Sequence, residues 1–165
     1  MEGLRSRPEW QKAQCVMMYA PLLDELDVWP LVTEALDQGR LVALPRYVPE
    51  KHRYQAARIR NATADIVAGF RGIREPSLAC PDVSWKELDL ILVPGRGFDL
   101  AGHRLGRGKG CYDQILGDVE CESCGLAMDW QVFDAIPVSE HDRAVDHLLT
   151  PTRWVECAGQ RAEPS

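Results

Sequence analysis

Asp89–Asp113 reads D-L-I-L-V-P-G-R-G-F-D-L-A-G-H-R-L-G-R-G-K-G-C-Y-D, and this stretch decides the fold. Asp89–Val93 is a nearly continuous apolar run closed by Pro94-Gly95, the pattern of a strand buried on both faces. A long loop follows in which Gly106, Gly108 and Gly110 alternate with Arg107 and Lys109, and a helix is predicted from Gly110 to Leu116. Glycine lets backbone N–H groups crowd around an anion, because no Cβ blocks the approach. The helix N-terminus behind the loop adds unpaired donors and a partial positive charge. Arg104, Arg107 and Lys109 add full charges, so the segment reads as a phosphate cradle. A surface loop with incidental basic residues is the alternative; its place at the carboxyl end of a strand favours a site. It is neither a Walker A loop, which would need glycine at His103 and Ser or Thr at Gly110, nor a G-x-G-x-x-G fingerprint.

Outward from this stretch, strands and helical patterns alternate. Ala13–Ala20 is a short apolar run. Asp27 caps a predicted helix with the stripe Val28, Leu31, Val32, Ala35 and Leu36, and Gly39 stops it. Leu41–Leu44 is a second strand, ended by Pro45. Tyr54–Ile59 reads as a further strand, Gly69–Asp82 as loop, and Ser123–Met128 and Val145–Thr150 as the last two strands. This alternation predicts an α/β fold, three layers deep (α/β/α), with a mainly parallel central sheet and a single domain over residues 1–165.

With 19 basic and 25 acidic residues among 165, the chain carries a net charge of −6. Such a surface repels polyanions, so a general nucleic-acid binder is not expected. No apolar stretch approaches the roughly 20 residues that span a bilayer, and Met1–Lys12 lacks the apolar core of a signal peptide. A cytoplasmic protein without membrane contact is expected, and a monomer. The six cysteines, Cys121-Glu-Ser-Cys124 included, read as free thiols, since a zinc ribbon needs a second C-x-x-C pair. His103, His141 and His147 show no ligand spacing. Phe98 is expected in the core.

The pieces Val93-Pro94-Gly95-Arg96-Gly97-Phe98-Asp99 and Arg104-Leu105-Gly106-Arg107-Gly108-Lys109-Gly110-Cys111-Tyr112-Asp113 resemble the hallmark of the 5-formyltetrahydrofolate cyclo-ligase family, P-G-x-x-F-D followed by R-L-G-x-G-x-G-Y-Y-D. Other segments fall in family order: Tyr19–Glu25, Gly72-Ile73-Arg74-Glu75-Pro76, Gln131, Ile136-Pro137 and Glu140–Asp146. The resemblance spans about residues 13–150.

The resemblance implies ATP- and Mg²⁺-dependent closure of 5-formyltetrahydrofolate to 5,10-methenyltetrahydrofolate, with release of ADP and phosphate. It implies that Arg104, Leu105, Gly106, Arg107, Gly108, Lys109, Gly110, Cys111 and Tyr112 bind ATP, with Arg104, Arg107 and Lys109 stabilising phosphate. Folate contacts are implied at Ala20 and Glu25 and at the loop residues 107–111. Asp113 and Asp142 match the magnesium positions; read without the family, Asp113 is a helix first-turn acid and Asp142 a turn or cap residue. Glu25 would otherwise be a solvated charge in an acidic run, and Asp146 reads as structural.

Two departures stand out. The family's basic N-terminal helix is expected to be missing, since twelve residues precede Ala13, Leu4-Arg5 lies too near the strand, and Pro8 interrupts helix continuity. Cys111 stands where the family has a tyrosine, which removes a ring able to stack on substrate. A catalytically weak paralogue binding nucleotide or folate is therefore the alternative, and a phosphosugar isomerase or transferase on a similar fold a more distant one.

Overall fold

The structure, a computed structural model, describes residues 1–157. The chain begins with α1 (Glu2–Arg5), α2 (Pro8–Lys12), β1 (Cys15–Met17), α3 (Trp29–Asp37), β2 (Leu41–Val48) and β3 (Arg53–Ile59). It continues with β4 (Ile66–Ala68), β5 (Arg74–Pro76), β6 (Asp82–Val83), β7 (Leu90–Val93), β8 (Gly97–Asp99) and β9 (Arg104–Leu105). The last elements are α4 (Cys111–Asp118), β10 (Glu122–Leu126), β11 (Val132–Phe133), β12 (His147–Leu149) and β13 (Trp154–Glu156).

Eight strands form one sheet in the order β13-β12-β10-β7-β1-β2-β3-β6. Its centre is parallel, β1 with β2 and β7, β10 with β7 and β12. Antiparallel pairs finish both edges. Every residue of β1 and β7 is buried, as unbroken apolar strands between two helical layers must be. Val16, Leu90 and Leu92 pack on one face with Leu4, Trp10, Leu31 and Val32 of the first three helices. Met17, Ile91 and Val93 point the other way, to Ile115 of α4. Each large side chain buried this way contributes about 1.5–3 kcal/mol relative to exposure. The predicted three-layer α/β fold is the one observed.

The helix α3 starts one residue later than expected, with Val28 as its N-cap; the Asp27 carboxylate, one residue outside, accepts the Trp29 N–H at 3.0 Å, and Gly39 follows the other end at φ 74°. Pro8 opens α2 and separates it from α1, the break predicted at that residue.

Two expectations need correction. The strand read as ending at Pro45 runs on to Val48. The Ala43 carbonyl accepts from the Met18 N–H at 2.9 Å, so residues 41, 43 and 45 turn toward β1. Ala43 is also the last β1 partner, so the N–H that Pro45 lacks points past the end of that ladder and no bond is lost. Gly69–Asp82, read as loop, contains β5, which pairs with β4 and is tied to β2 by the Tyr47 N–H donating to Glu75 at 3.2 Å. Between β10 and β12 the chain runs through a 3-10 turn at Asp129–Gln131 and the short strand β11, with no α-helix.

This topology sets the site. From β1 the chain crosses through α3 to β2, and from β7 through α4 to β10, in opposite directions over opposite faces. The neighbours β1 and β7 therefore form a topological switch point, with a crevice beyond their carboxyl ends. Below Gly95 at its edge the Phe98 ring is fully buried, and a Cβ added to Gly95 or Gly125 would lie 2.9 or 2.6 Å from that ring. Among the described residues, no helix is long and apolar enough to cross a membrane.

Candidate active site

A cleft of about 830 Å³ opens at the carboxyl ends of β1 and β7. The structure brings the sequence-predicted site residues to its wall: Ala20 and Glu25 after β1, the 104–113 segment, and Asp142 on the segment leading to β12.

The glycine segment is less loose than its composition suggests. Arg104 and Leu105 form β9, paired antiparallel with β8, and the Arg96 N–H donates to the Leu105 carbonyl at 2.8 Å. The chain then turns through Gly108 and Gly110 at φ 77° and 61°, the left-handed region that glycine enters without steric cost. Gly110 is the N-cap of α4. Gly106 is needed for another reason, since a Cβ there would lie 2.7 Å from Nη1 of Arg104.

Three cations face the cleft in different states. The Arg104 side chain is 7% exposed, with its guanidinium 5.3 Å from the Tyr112 ring centroid and 3.7 Å from the Asp113 carboxylate. Its Nε is buried without a hydrogen-bond partner among the described residues, a donor held ready at a cost in desolvation. Arg107 donates to the Asp24 carboxylate and lies 3.8 Å from Glu25. Lys109 makes no ion pair among the described residues.

Glu25 accepts the Leu22 N–H at 2.9 Å and is 13% exposed. Burial raises its pKa above the ordinary glutamate value, against the opposing pull of the Leu22 N–H and Arg107. Next to it, Tyr19 donates to the Leu26 carbonyl at 3.0 Å, which shapes the turn that carries Glu25. Cys111 is the first residue of α4 and shares a hydrogen bond with Tyr54; burial pushes its thiol up to about 11, so it is neutral at pH 7. Burial likewise drives the Tyr112 phenol well above its ordinary value.

Asp113 accepts the Arg143 N–H at 3.2 Å, which fastens the start of α4 to the residue that follows Asp142. Asp142 accepts the Ser139 N–H through one oxygen at 2.8 Å. Asp113 and Asp142 both border the cleft and could hold Mg²⁺, which takes one or two carboxylates and completes its shell with water and phosphate oxygens. No group of three or more His, Cys, Asp or Glu suited to a metal occurs among the described residues.

One wall escaped sequence reasoning. Tyr47 of β2 and Tyr54 of β3 are cross-strand partners with ring centroids 5.3 Å apart. Phe70, from the turn between β4 and β5, stacks on Tyr47 at 4.0 Å and 15°. All three border the cleft. The available signal was the spacing of two tyrosines about a reversal at 49–52.

The profile of the 5-formyltetrahydrofolate cyclo-ligase family matches residues 2–151. The chain belongs to the 5-formyltetrahydrofolate cyclo-ligase family. It is 30% identical over 157 residues to the 5-formyltetrahydrofolate cyclo-ligase of Mus musculus, across 86% of this chain and 75% of that one. The enzyme of that name from Mycolicibacterium smegmatis is 34% identical over 150 residues, across 85% of this chain and 75% of the relative. The NMR structure of Aquifex aeolicus 5,10-methenyltetrahydrofolate synthetase superposes with a TM-score of 0.84 at 34% identity, covering 99% of this chain and 82% of that one. The cyclo-ligase match starts at residue 2, so α1 and α2 lie within the family's span, whereas the motif resemblance began near residue 13. Of the cyclo-ligase motif, Pro94, Gly95, Arg96 and residues 104–113 line the switch-point cleft.

Proposed function

We propose that this chain is a ligase that closes 5-formyltetrahydrofolate to 5,10-methenyltetrahydrofolate with ATP as co-substrate. The observation that carries the reading is convergence: a glycine cradle, a buried arginine with an unused donor, and a half-buried glutamate meet in one cleft of a cyclo-ligase fold.

In this reading the N–H groups of residues 106–110 and the side chains of Arg104, Arg107 and Lys109 take the phosphates of ATP. Positioned donors and cations are the main protein contribution to phosphoryl transfer. Asp113 and Asp142 would hold Mg²⁺, which neutralises phosphate charge. Glu25 accepts from the pterin N–H donors, for which a carboxylate is a strong acceptor, and Tyr47, Tyr54 and Phe70 line the cleft with aromatic surface against which the substrate can pack. The formyl oxygen attacks the terminal phosphorus and ADP leaves. N10 then attacks the formyl carbon, loses its proton, and phosphate departs with the former formyl oxygen.

The test is direct: purified protein, MgATP and 5-formyltetrahydrofolate are mixed and the methenyl product is followed by its absorbance. Turnover that requires both ATP and Mg²⁺ is expected. Absence of product at any ATP concentration, from a folded preparation, overturns the proposal.

A further inference from the structure

The cleft that the glycine segment borders is lined also by the β4–β5 hairpin, which brings two arginines of its own. Arg71 sits at the hairpin turn and Arg74 at the start of β5, and both border the cleft. In a chain of net charge −6, neither makes a hydrogen bond or ion pair through its side chain among the described residues. Arg104 and Arg107, in the glycine segment, each have a carboxylate neighbour.

Both guanidinium groups are nevertheless held in place. Arg71 lies over the Phe70 ring and Arg74 over the Trp29 ring, each 4.9 Å from the centroid. Stacking fixes the plane of the fork while leaving its N–H edge available for bidentate contact with a carboxylate. Arg71 is held further by its backbone. Its φ of 58° is left-handed, a conformation that costs a residue with a Cβ about 1–2 kcal/mol. The turn is kept by Gly69 N–H to the Ile73 carbonyl at 2.8 Å and Ile73 N–H to the Phe70 carbonyl at 3.2 Å. A non-glycine residue retained in such a conformation beside a cleft is the kind of strain that accumulates at functional sites.

We infer that Arg71 and Arg74 form a second anion subsite that takes the carboxylates of the folate's glutamyl tail. The inference rests on the proposed folate chemistry. That substrate carries its reacting formyl group on the pterin and carboxylates on its glutamyl tail, and the cleft that bears the cations of the glycine segment is lined also by Tyr47, Phe70, Arg71 and Arg74. The subsite makes the hairpin the determinant of tail length: each added glutamate brings another carboxylate to a pair of cations with no internal partner.

Calorimetric titration, which needs no turnover, tests it. Wild type, Arg71→Gln, Arg74→Gln and the double variant are titrated with 5-formyltetrahydrofolate carrying one or three glutamates, and separately with ATP. Wild type should bind the triglutamate more tightly. The double variant should bind the monoglutamate about tenfold more weakly and lose the preference for the longer tail, with ATP affinity at the wild-type value. Arg71→Lys, which keeps the charge without the planar fork, should fall between. A double variant with wild-type folate affinity and tail preference overturns the inference and leaves the proposed function standing. Weakened ATP binding with intact folate binding also overturns it and assigns the arginines to nucleotide. A wild-type protein that binds no folate at all sinks both readings.

Discussion

The Arg107 guanidinium donates to the Asp24 carboxylate, bridging the glycine segment to the turn after β1 across 83 residues of sequence. An arginine proposed to take phosphate is thus already engaged by an acid on the turn after β1. Half-exposed pairs of this kind are worth little, so the contact is a competitor that phosphate can displace.

Asp24→Asn should therefore lower the KM for MgATP, by about threefold, because the competing charge is gone. Arg107→Ala should raise it about tenfold. Both melting temperatures should stay near wild type. Steady-state kinetics beside thermal melts reads this, and an Asp24→Asn enzyme with a higher KM would contradict the competition.

Two glycines of the cradle should fail differently when replaced. Gly110→Ala forces a side chain into φ 61° and should cost about 1–2 kcal/mol of stability. Gly106→Ala drives a methyl within 2.7 Å of Nη1 of Arg104 and so displaces a buried cation from the cleft. Misplacement by about 1 Å can cost on the order of 100-fold in rate, so kcat should drop steeply with a smaller change in denaturant midpoint.

Glu25→Gln should separate stability from binding. Burial raises the folded-state pKa of Glu25, so its favourable contribution is complete at low pH and is lost as pH rises through that value. At neutral pH the ionised carboxylate is a burden on the free protein. The Gln variant should melt higher than wild type at pH 7, with the gap closing as the pH is lowered toward 4, and should bind folate about tenfold more weakly. Thermal melts across that range, with folate titrations at pH 7, check both halves.

Asp99 should govern the acid limb. Its buried carboxylate accepts the Ala101, His103 and Ile136 N–H groups at 3.0 Å each and meets the His103 ring at 2.9 Å, tying the start of the glycine segment to the strand-end segment that leads to Asp142. Burial alone would raise its pKa, but the bonds from Ile136 and His103 outweigh it and the net shift is downward. Its stabilisation is thus present above the unfolded carboxyl value, about 3.9, and lost as pH falls through the lower folded value. Asp99→Asn should cost about 3 kcal/mol at pH 7 and flatten that part of the urea-midpoint profile between pH 2 and 5.

Sequence made the switch-point strand and the cradle legible because both are written in contiguous residues. Asp89–Val93 is apolar throughout, and the spacing of Gly106, Gly108 and Gly110 is a property of backbone alone. Phe98 is buried as expected from its apolar ring between two strands. The aromatic wall was not legible, because Tyr47 lies on the part of β2 beyond Pro45 and meets Tyr54 only through a cross-strand register. Phe70 reaches that wall from a turn rich in glycine and arginine, where local pattern gives no strand signal. The Arg107–Asp24 pair is likewise a matter of tertiary approach, invisible to any window of sequence.

Phe98 wedged against Gly95 and Gly125 has an evolutionary corollary. The three positions share one volume, with Cβ-to-ring approaches of 2.9 and 2.6 Å leaving no room for a methyl at either glycine. Among related chains they should therefore drift as a linked trio: an alanine at either glycine position should accompany a smaller residue in place of the ring, and lineages that keep the phenyl should keep both neighbours bare.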